Sequence, residues 1–142
     1  TAFAGFDPNI IANWGEAEVN ALLQNPGIIR HRGKIAATIS NARVWQEIEA
    51  DMGFDRYLWR YVDGVPLRTT LTDSTLIPTQ SPLSVAISKD LKNRGFKFCG
   101  PTIIYAFMEA TGVFNNHPTT CPRHAPCAAL ARDPAEVWPE GL

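Results

Sequence analysis

Apolar residues recur every three or four positions along most of this chain, and this spacing predicts helices. The longest pattern runs from about Arg30 to Ala50 and places Ile35, Ile39 and Ala42 on one face. The other predicted helices span residues 7–14, 16–23, 54–62, 81–95 and 101–111. The helices that begin near residues 7 and 81 open on Asp-Pro and Ser-Pro, pairs that cap a helix and start it. No segment alternates regularly enough to predict a strand.

Two stretches lack helical periodicity. Residues 65–80 are rich in Thr and Ser and predict an irregular connection. After Gly112, four prolines between residues 118 and 134 predict a tail with little regular structure. Too little chain lies on either side of the irregular connection for two separate cores, so we expect one helical domain over residues 1–142.

Composition limits the classes to which the protein can belong. A chain of 142 residues with 45% hydrophobic and 19% charged residues is typical of a globular domain, and excludes disordered and collagen-like proteins. No apolar run approaches the roughly 18 residues of a membrane span, so no membrane partner is expected. The odd number of cysteines favours a reducing compartment over a disulfide framework. Cys99 lies among apolar residues and is predicted to be a small core residue.

The net charge of -1 conceals a segregation of charge along the chain. Residues 26–46 contain no acidic residue, whereas residues 88–101 carry Asp90 alone against four cations. Such clusters are typical of a nucleic-acid interface, although a solvated helix can also be basic. His31, between two arginines, is predicted to be a polar surface residue near phosphate rather than a catalytic base. The cations of the two segments are Arg30, Arg32, Lys34, Arg43, Lys89, Lys92, Arg94 and Lys97.

A short turn from Gly95 to Gly100 joins two predicted helices. Gly95 can end the first helix in the left-handed conformation, and Gly100 leaves room for another backbone to approach. Phe96 and Phe98 are expected to point into the core, and Lys97 between them is expected to point outward.

The helix after this turn begins at Pro101, and its first N–H groups, around Thr102, have no partner within the helix. Together with Lys92, Arg94 and Lys97, these N–H groups predict an anion site suited to a phosphate diester. An ordinary helical hairpin whose cations face solvent would have the same spacing, so both interpretations stay open here.

His117 and Cys121 place an imidazole and a thiol four residues apart, and zinc binds both groups well. Two ligands make half of a tetrahedral site. His124 and Cys127 could complete it locally, but three prolines stiffen a loop that would have to surround one ion within eleven residues. Surface side chains without a metal are the other interpretation.

Four motifs in this chain resemble a known protein family. They are Gly27-Ile-Ile-Arg-His-Arg-Gly-Lys-Ile35, Asn41-Ala-Arg43, Leu91-Lys-Asn-Arg-Gly-Phe-Lys-Phe-Cys-Gly-Pro-Thr-Ile-Ile-Tyr-Ala-Phe-Met108 and Asn116-His117. Together they resemble the DNA-3-methyladenine glycosylase I family, the Tag-type bacterial repair enzymes. The resemblance extends from about Phe3 to Cys121.

The resemblance implies an all-α fold of the helix-hairpin-helix DNA glycosylase superfamily, with residues 81–111 as the DNA-binding hairpin. It implies a base-excision repair enzyme that hydrolyses the N-glycosidic bond of 3-methyladenine in double-stranded alkylated DNA. We expect it to act as a monomer in the bacterial cytoplasm. A non-catalytic helix-hairpin-helix DNA-binding module is the alternative, and a helical interaction domain without nucleic acid is a third. The expected DNA-binding residues are Arg30, Arg32, Lys34, Lys92, Arg94, Gly95, Lys97, Gly100 and Thr102.

The resemblance also implies one structural zinc ion with four ligands, two of which are His117 and Cys121 in the Pro-rich segment 117–142. The other two ligands, the catalytic glutamate and the aromatic residues of the base pocket are expected upstream of Thr1, so we expect an incomplete chain. Tyr105 is the candidate within this chain for stacking on a base. Thr102 occupies about the position where strand-cutting members of the superfamily carry a lysine nucleophile, so we expect no lyase step.

Overall fold

The structure, a computed structural model that describes residues 2–142, is predominantly helical, as predicted. Its α-helices are α1 (Pro8–Ile11), α2 (Glu16–Leu23), α3 (Arg32–Asp51), α4 (Phe54–Trp59), α5 (Pro82–Asn93), α6 (Pro101–Ala110), α7 (His124–Ala129) and α8 (Pro134–Val137). Short 3-10 turns span Ala4–Phe6, Arg60–Val62 and Ser74–Leu76, and two strands, β1 (Leu67–Arg68) and β2 (Phe114–Asn115), pair in parallel. None of the helices in the described part of the chain is long and apolar enough to cross a membrane.

Contacts divide the chain into two compact units, each formed from two segments of the sequence. The first unit comprises the residues up to Phe54 together with Asp90–Cys99, and the second comprises Asp55–Lys89 and Gly100–Leu142. One boundary therefore falls inside helix α5 rather than in a flexible linker. The single domain expected over residues 1–142 stays a prediction.

Helix α3 is the centre of the first unit, and α1 and α2 pack against it. Its predicted apolar face is buried, because Ile35, Ile39 and Ala42 are at most 8% exposed. Asp7 caps α1 through its side-chain oxygen, which accepts from the N–H of Asn9 at 2.8 Å. The core of this unit consists of Ile11, Ala12, Val19, Leu22, Ile35, Ile39 and Ala42.

The second unit contains the strand pair that the sequence pattern did not predict. Leu67 lies opposite Phe114 and Arg68 lies opposite Asn115, and the N–H of Thr69 donates to the carbonyl of Asn115 at 3.0 Å. Two residues are too few for alternation to be visible in a sequence. The buried hydrophobic residues of this unit include Tyr57, Leu58, Ile87, Ile104, Met108 and Val113.

The prediction of little regular structure after Gly112 is wrong, because this segment forms β2, α7 and α8. Pro134 takes the first position of α8, where a missing N–H costs nothing, and the side chain of Asp133 caps the helix. Trp138 follows with 8% exposure, and its Nε1 donates to a carboxylate oxygen of Asp55 at 3.2 Å. In this helix, proline is therefore a starting residue rather than a breaker.

Candidate functional site

The turn after helix α5 belongs to the first unit and is held by a single asparagine of α3. The Oδ1 atom of Asn41 accepts from the N–H of Lys97 at 2.9 Å, and its Nδ2 donates to the Lys97 carbonyl at 3.0 Å. The backbone N–H and the carbonyl of Lys97 therefore both have hydrogen-bond partners, and its side chain is exposed. This rigid attachment presents Lys97 outward, as predicted.

Gly95 adopts the left-handed conformation that the sequence predicted, with φ of 106°. The N–H groups of Gly95 and Phe96 donate to the carbonyls of Lys92 and Leu91, which ends α5. A Cβ atom at Gly95 would also lie 3.4 Å from Cγ2 of Val44. Conformation and space therefore both favour glycine at this position.

Phe98 does not point into the core, so this part of the prediction is wrong. Phe96 is half-buried, but Phe98 is 57% exposed and has φ of 57°. A positive φ at one residue breaks the alternation on which the prediction relied. Cys99 is buried as predicted, and burial raises the pKa of its thiol.

The predicted DNA-binding cations of the first unit differ in how they are paired. Arg32 forms an ion pair with Glu16 and a hydrogen bond to Asn20 at 2.7 Å, and Arg94 pairs with Asp90 at 3.1 Å. Their charges are therefore partly compensated. The other four of these predicted cations are exposed and form no ion pair within residues 2–142, namely Arg30, Lys34, Lys92 and Lys97.

His31 caps helix α3, because its Nδ1 accepts from the N–H of Lys34 at 3.1 Å. The residue is exposed, in agreement with its predicted place on a polar surface. Its ring also meets the edge of Phe98, with 6.1 Å between the ring centroids. His31 thus positions the start of α3 and lies beside the hairpin turn.

Helix α6 of the second unit begins with the free N–H groups that the sequence predicted. Its first internal hydrogen bond runs from the N–H of Ile104 to the Gly100 carbonyl, so the N–H groups of Thr102 and Ile103 have no helical acceptor. A Cβ atom at Gly100 would meet no atom within 4 Å. The start of α6 is therefore open, and Thr102 is exposed there.

His117 and Cys121 lie together, with 3.6 Å between Nδ1 and Sγ. Zinc bound tetrahedrally at about 2.05 Å to nitrogen and about 2.3 Å to sulfur would hold these atoms about 3.6 Å apart. The pair therefore fits two corners of a zinc site. No group of three or more His, Cys, Asp or Glu side chains suited to a metal occurs within residues 2–142, so His124 and Cys127 do not complete the site locally.

A buried polar cluster in the second unit was not predicted. The Nδ2 atom of Asn116 donates to the hydroxyl of Tyr105 at 2.9 Å and to a carboxylate oxygen of Glu109 at 2.7 Å. Asn116 is 7% exposed, and its Oδ1 atom has no hydrogen-bond donor among the described residues. Asn116 follows the hairpin closely in sequence, but only the fold brings Glu109 to it.

Tyr105, the predicted base-stacking candidate, lies in the core of the second unit. It is 3% exposed, its ring meets the ring of Phe114 edge-on at 5.7 Å between centroids, and burial raises the pKa of its hydroxyl. Neither face of the ring is open to a base. The structure therefore gives Tyr105 a packing role.

A cavity of about 830 Å³ lies within the second unit. Its lining includes Glu109, Asn116 and His117 together with two tryptophans, Trp59 and Trp138. Asn116, whose Oδ1 atom lacks a donor among the described residues, and the candidate metal ligand His117 thus border the same space.

Comparison with known proteins identifies the family of this chain. The methyladenine glycosylase family matches residues 1–124. This chain belongs to that family. The glycosylase family accounts for the helical fold and for the motifs on both sides of the hairpin, since the match covers all of them.

Individual relatives support the same assignment. The chain is 46% identical over 120 residues to DNA-3-methyladenine glycosylase 1 of Escherichia coli (strain K12), and the match covers 84% of this chain and 64% of that protein. A crystal structure of 3-methyladenine DNA glycosylase I is 51% identical, with a TM-score of 0.83, over 87% of this chain and 68% of that one. A variant of 3-methyladenine DNA glycosylase I, solved in complex with 3-methyladenine, is 33% identical, also with a TM-score of 0.83, over 87% of this chain and 67% of that one.

Proposed function

We propose that this chain provides the DNA-binding part of a glycosylase that hydrolyses the N-glycosidic bond of 3-methyladenine in alkylated double-stranded DNA. The observation that carries the proposal is the hairpin turn, in which Asn41 fixes the backbone of an exposed Lys97. The relative from Escherichia coli and the complex with 3-methyladenine support the choice of reaction and base. We expect the enzyme to act as a monomer in the bacterial cytoplasm.

In this proposal the turn and its cations bind phosphates and position the duplex without reading its sequence. A base inside a duplex must leave the stack before it can react, which costs a few kcal/mol. Methylation at N3 leaves adenine cationic and weakens its glycosidic bond, so the reaction needs little acid-base assistance. The residues of this chain would then hold the strand while the damaged base leaves it.

We infer a glycosylase without a lyase step. A lysine amine near the start of α6 could attack the sugar and form a Schiff base, but Thr102 occupies this position and its hydroxyl cannot form one. Lys97 is the nearest lysine in sequence, and the proposal assigns it to phosphate. The expected product is an intact strand with an abasic site.

We also propose that His117 and Cys121 bind a structural zinc ion together with two ligands from outside the described residues. Zinc held in this way would cross-link the chain, and the ion would have no part in the reaction. Cobalt(II) tests this role, because a thiolate ligand gives bound cobalt a charge-transfer band in the near ultraviolet. Cys121→Ala should lose the band and Cys127→Ala should keep it. Equal loss in both variants would instead indicate a local four-ligand site.

Phosphate binding is tested by measuring duplex affinity at several salt concentrations. Lys97→Ala should weaken binding to every sequence and lower the slope of log affinity against log salt by about one. Lys89→Ala, an exposed lysine outside the predicted site, should leave the slope unchanged. A salt-independent affinity of the unaltered chain would indicate a helical interaction domain with no nucleic-acid role.

The reaction is tested by release of methylated adenine from alkylated duplex DNA. The comparison is between this chain and an extended chain, in which it replaces the matched part of the Escherichia coli relative. We expect release by the extended chain and no strand cleavage. An extended chain that binds the duplex but releases no base would indicate the non-catalytic DNA-binding module.

A further inference from the structure

Phe98 combines two properties that a core residue lacks. Its side chain is 57% exposed, and its backbone adopts φ of 57°, in the left-handed region that a bulky side chain rarely occupies. Glycine would occupy this conformation without a steric cost. An exposed phenylalanine in a strained conformation gains little from burial, so fold stability does not explain its presence.

The neighbouring residues of the first unit hold Phe98 in this conformation. Asn41 binds both polar backbone atoms of Lys97, the preceding residue. On the other side, the ring of His31 meets the ring of Phe98 edge-on, with centroids 6.1 Å apart. Gly33 leaves space for the His31 ring, because a Cβ atom on it would lie 3.0 Å from Cε1 of His31. The ring is therefore presented outward from a fixed position.

The charge around Phe98 favours one kind of partner. Lys97 precedes it in sequence, and the His31 ring that contacts it follows Arg30 and lies three residues before Lys34, from whose N–H it accepts a hydrogen bond. These three cations are exposed, and they form no ion pair within the part of the chain that the structure describes. An exposed aromatic ring among uncompensated cations matches a nucleic-acid strand, which offers phosphates to the cations and sugar or base surface to the ring.

We propose that Phe98 is a DNA contact residue whose exposed ring packs against the nucleotide strand that the neighbouring cations bind. The proposal rests on the DNA-binding function proposed above and adds an apolar contact to it. Phe98 then contributes to affinity through a contact that does not depend on charge, and Lys97 contributes through phosphate. This difference gives the two residues separate experimental signatures.

Phe98→Gly separates a DNA contact from a packing role, because glycine removes the ring and relieves the backbone strain together. We expect a melting temperature equal to or higher than that of the unaltered chain. Affinity for an undamaged 20-base-pair duplex should fall roughly tenfold, since loss of an aromatic contact to nucleic acid has effects of this size. The salt slope should not change, because no phosphate contact is lost.

Phe6 offers a matched control within the same unit. It is 72% exposed, has φ of 62° and is followed by Asp7. Its ring stacks on the ring of Phe3, with 5.6 Å between centroids, and it shares a cavity lining with Lys34. Phe6→Gly should therefore lose much less affinity for the duplex than Phe98→Gly. Phe98→Leu retains apolar surface and should lose less affinity than Phe98→Gly.

Three results would overturn the proposal. Phe98→Gly could bind the duplex as tightly as the unaltered chain, it could lower the melting temperature while the folded protein kept its affinity, or Phe6→Gly could lose as much affinity. Failure of the underlying function is distinguishable, because the unaltered chain would then show no salt-dependent affinity for the duplex.

Discussion

The two units of this protein satisfy their polar groups in different ways. In the first unit, both backbone atoms of Lys97 are bound by Asn41, the ring of His31 caps α3, and Arg32 pairs with Glu16. In the second unit, the Oδ1 atom of the buried Asn116 has no donor among the described residues, and the side chains of His117 and Cys121 contact each other at 3.6 Å.

This difference shows what each unit needs for its proposed role. Exposed cations on a fixed backbone can bind a polyanion without any further component. The proposed zinc ligands, His117 and Cys121, would need two further ligands to complete a tetrahedral site, and the unsatisfied oxygen of Asn116 lacks a donor. We therefore expect substitutions in the first unit to change DNA affinity, and substitutions in the second to change stability and metal binding.

The largest effect is expected at Asn116 in the second unit. Asn116→Asp replaces the donor amide with a second carboxylate beside Glu109, and should lower the free energy of unfolding by about 2–3 kcal/mol at neutral pH. The loss should shrink as the pH falls, because protonation of either carboxyl removes the repulsion. Urea unfolding measures the change.

Glu109→Gln combined with Asn116→Asp restores one amide and one carboxylate, and should recover most of the stability. No recovery in the double variant would contradict the hydrogen bond between these side chains.

Asn41→Ala breaks the corresponding contact in the first unit. Loss of both hydrogen bonds to Lys97 should lower the free energy of unfolding by about 1–2 kcal/mol and speed hydrogen exchange at the Lys97 amide. DNA affinity should also fall, because the turn is no longer fixed. Asn41→Asp keeps the acceptor and loses only the donor, so its Lys97 amide should stay protected. Equal exchange rates in both variants would show that Asn41 does not hold the turn.

Substitution by alanine should affect stability at one glycine of the hairpin and hardly affect it at the other. Gly95→Ala places a side chain at φ of 106° and close to Val44, so it should lower the free energy of unfolding by about 1 kcal/mol. Gly100→Ala adds a methyl group at φ of -63° in open space, so stability should hardly change. Its duplex affinity should nevertheless fall if a phosphate approaches there. Thermal unfolding and duplex binding measure both effects, and a Gly95→Ala variant of unchanged stability would contradict the conformational cost at residue 95.

The smallest effect is expected at Glu18 of α2. A hydrogen bond from the N–H of Gly15, at 2.7 Å, lowers the pKa of this carboxyl. A carboxyl with a lower pKa in the folded state stabilises the protein above its unfolded-state pKa, and this contribution disappears as the pH falls through the folded-state pKa. Glu18→Gln should therefore be slightly less stable than the unaltered chain at neutral pH and equally stable in strong acid. A difference that does not vary with pH would contradict the role of the charged form.

Local patterns in the sequence predicted the features that depend on neighbouring residues. Helical spacing predicted α3 and its buried face, the glycine at residue 95 predicted the end of α5, and the four-residue spacing of His117 and Cys121 predicted their proximity. The contact between Asn41 and Lys97 joins residues 56 positions apart, and no periodicity encodes it.

The features that the sequence did not predict depend on tertiary structure. Phe98 was expected to be buried because side chains were assumed to alternate in direction through the turn. Its positive φ breaks this alternation. Helices α7 and α8 were not predicted, because the prolines were interpreted as helix breakers. In the fold, the Asp133 side chain caps α8, and Trp138 after this helix is buried. The sequence places the carboxylate of Glu109 on α6, but no local pattern indicated its hydrogen bond to Asn116.

Hydrogen exchange of the chain with and without a short duplex is the most direct test of whether the hairpin binds DNA. We expect the duplex to slow exchange at residues 30–34 and 94–103 and to leave residues 117–131 unchanged. Slowed exchange confined to residues outside the hairpin, or no change at any residue under conditions in which the duplex is bound, would contradict DNA binding by this turn.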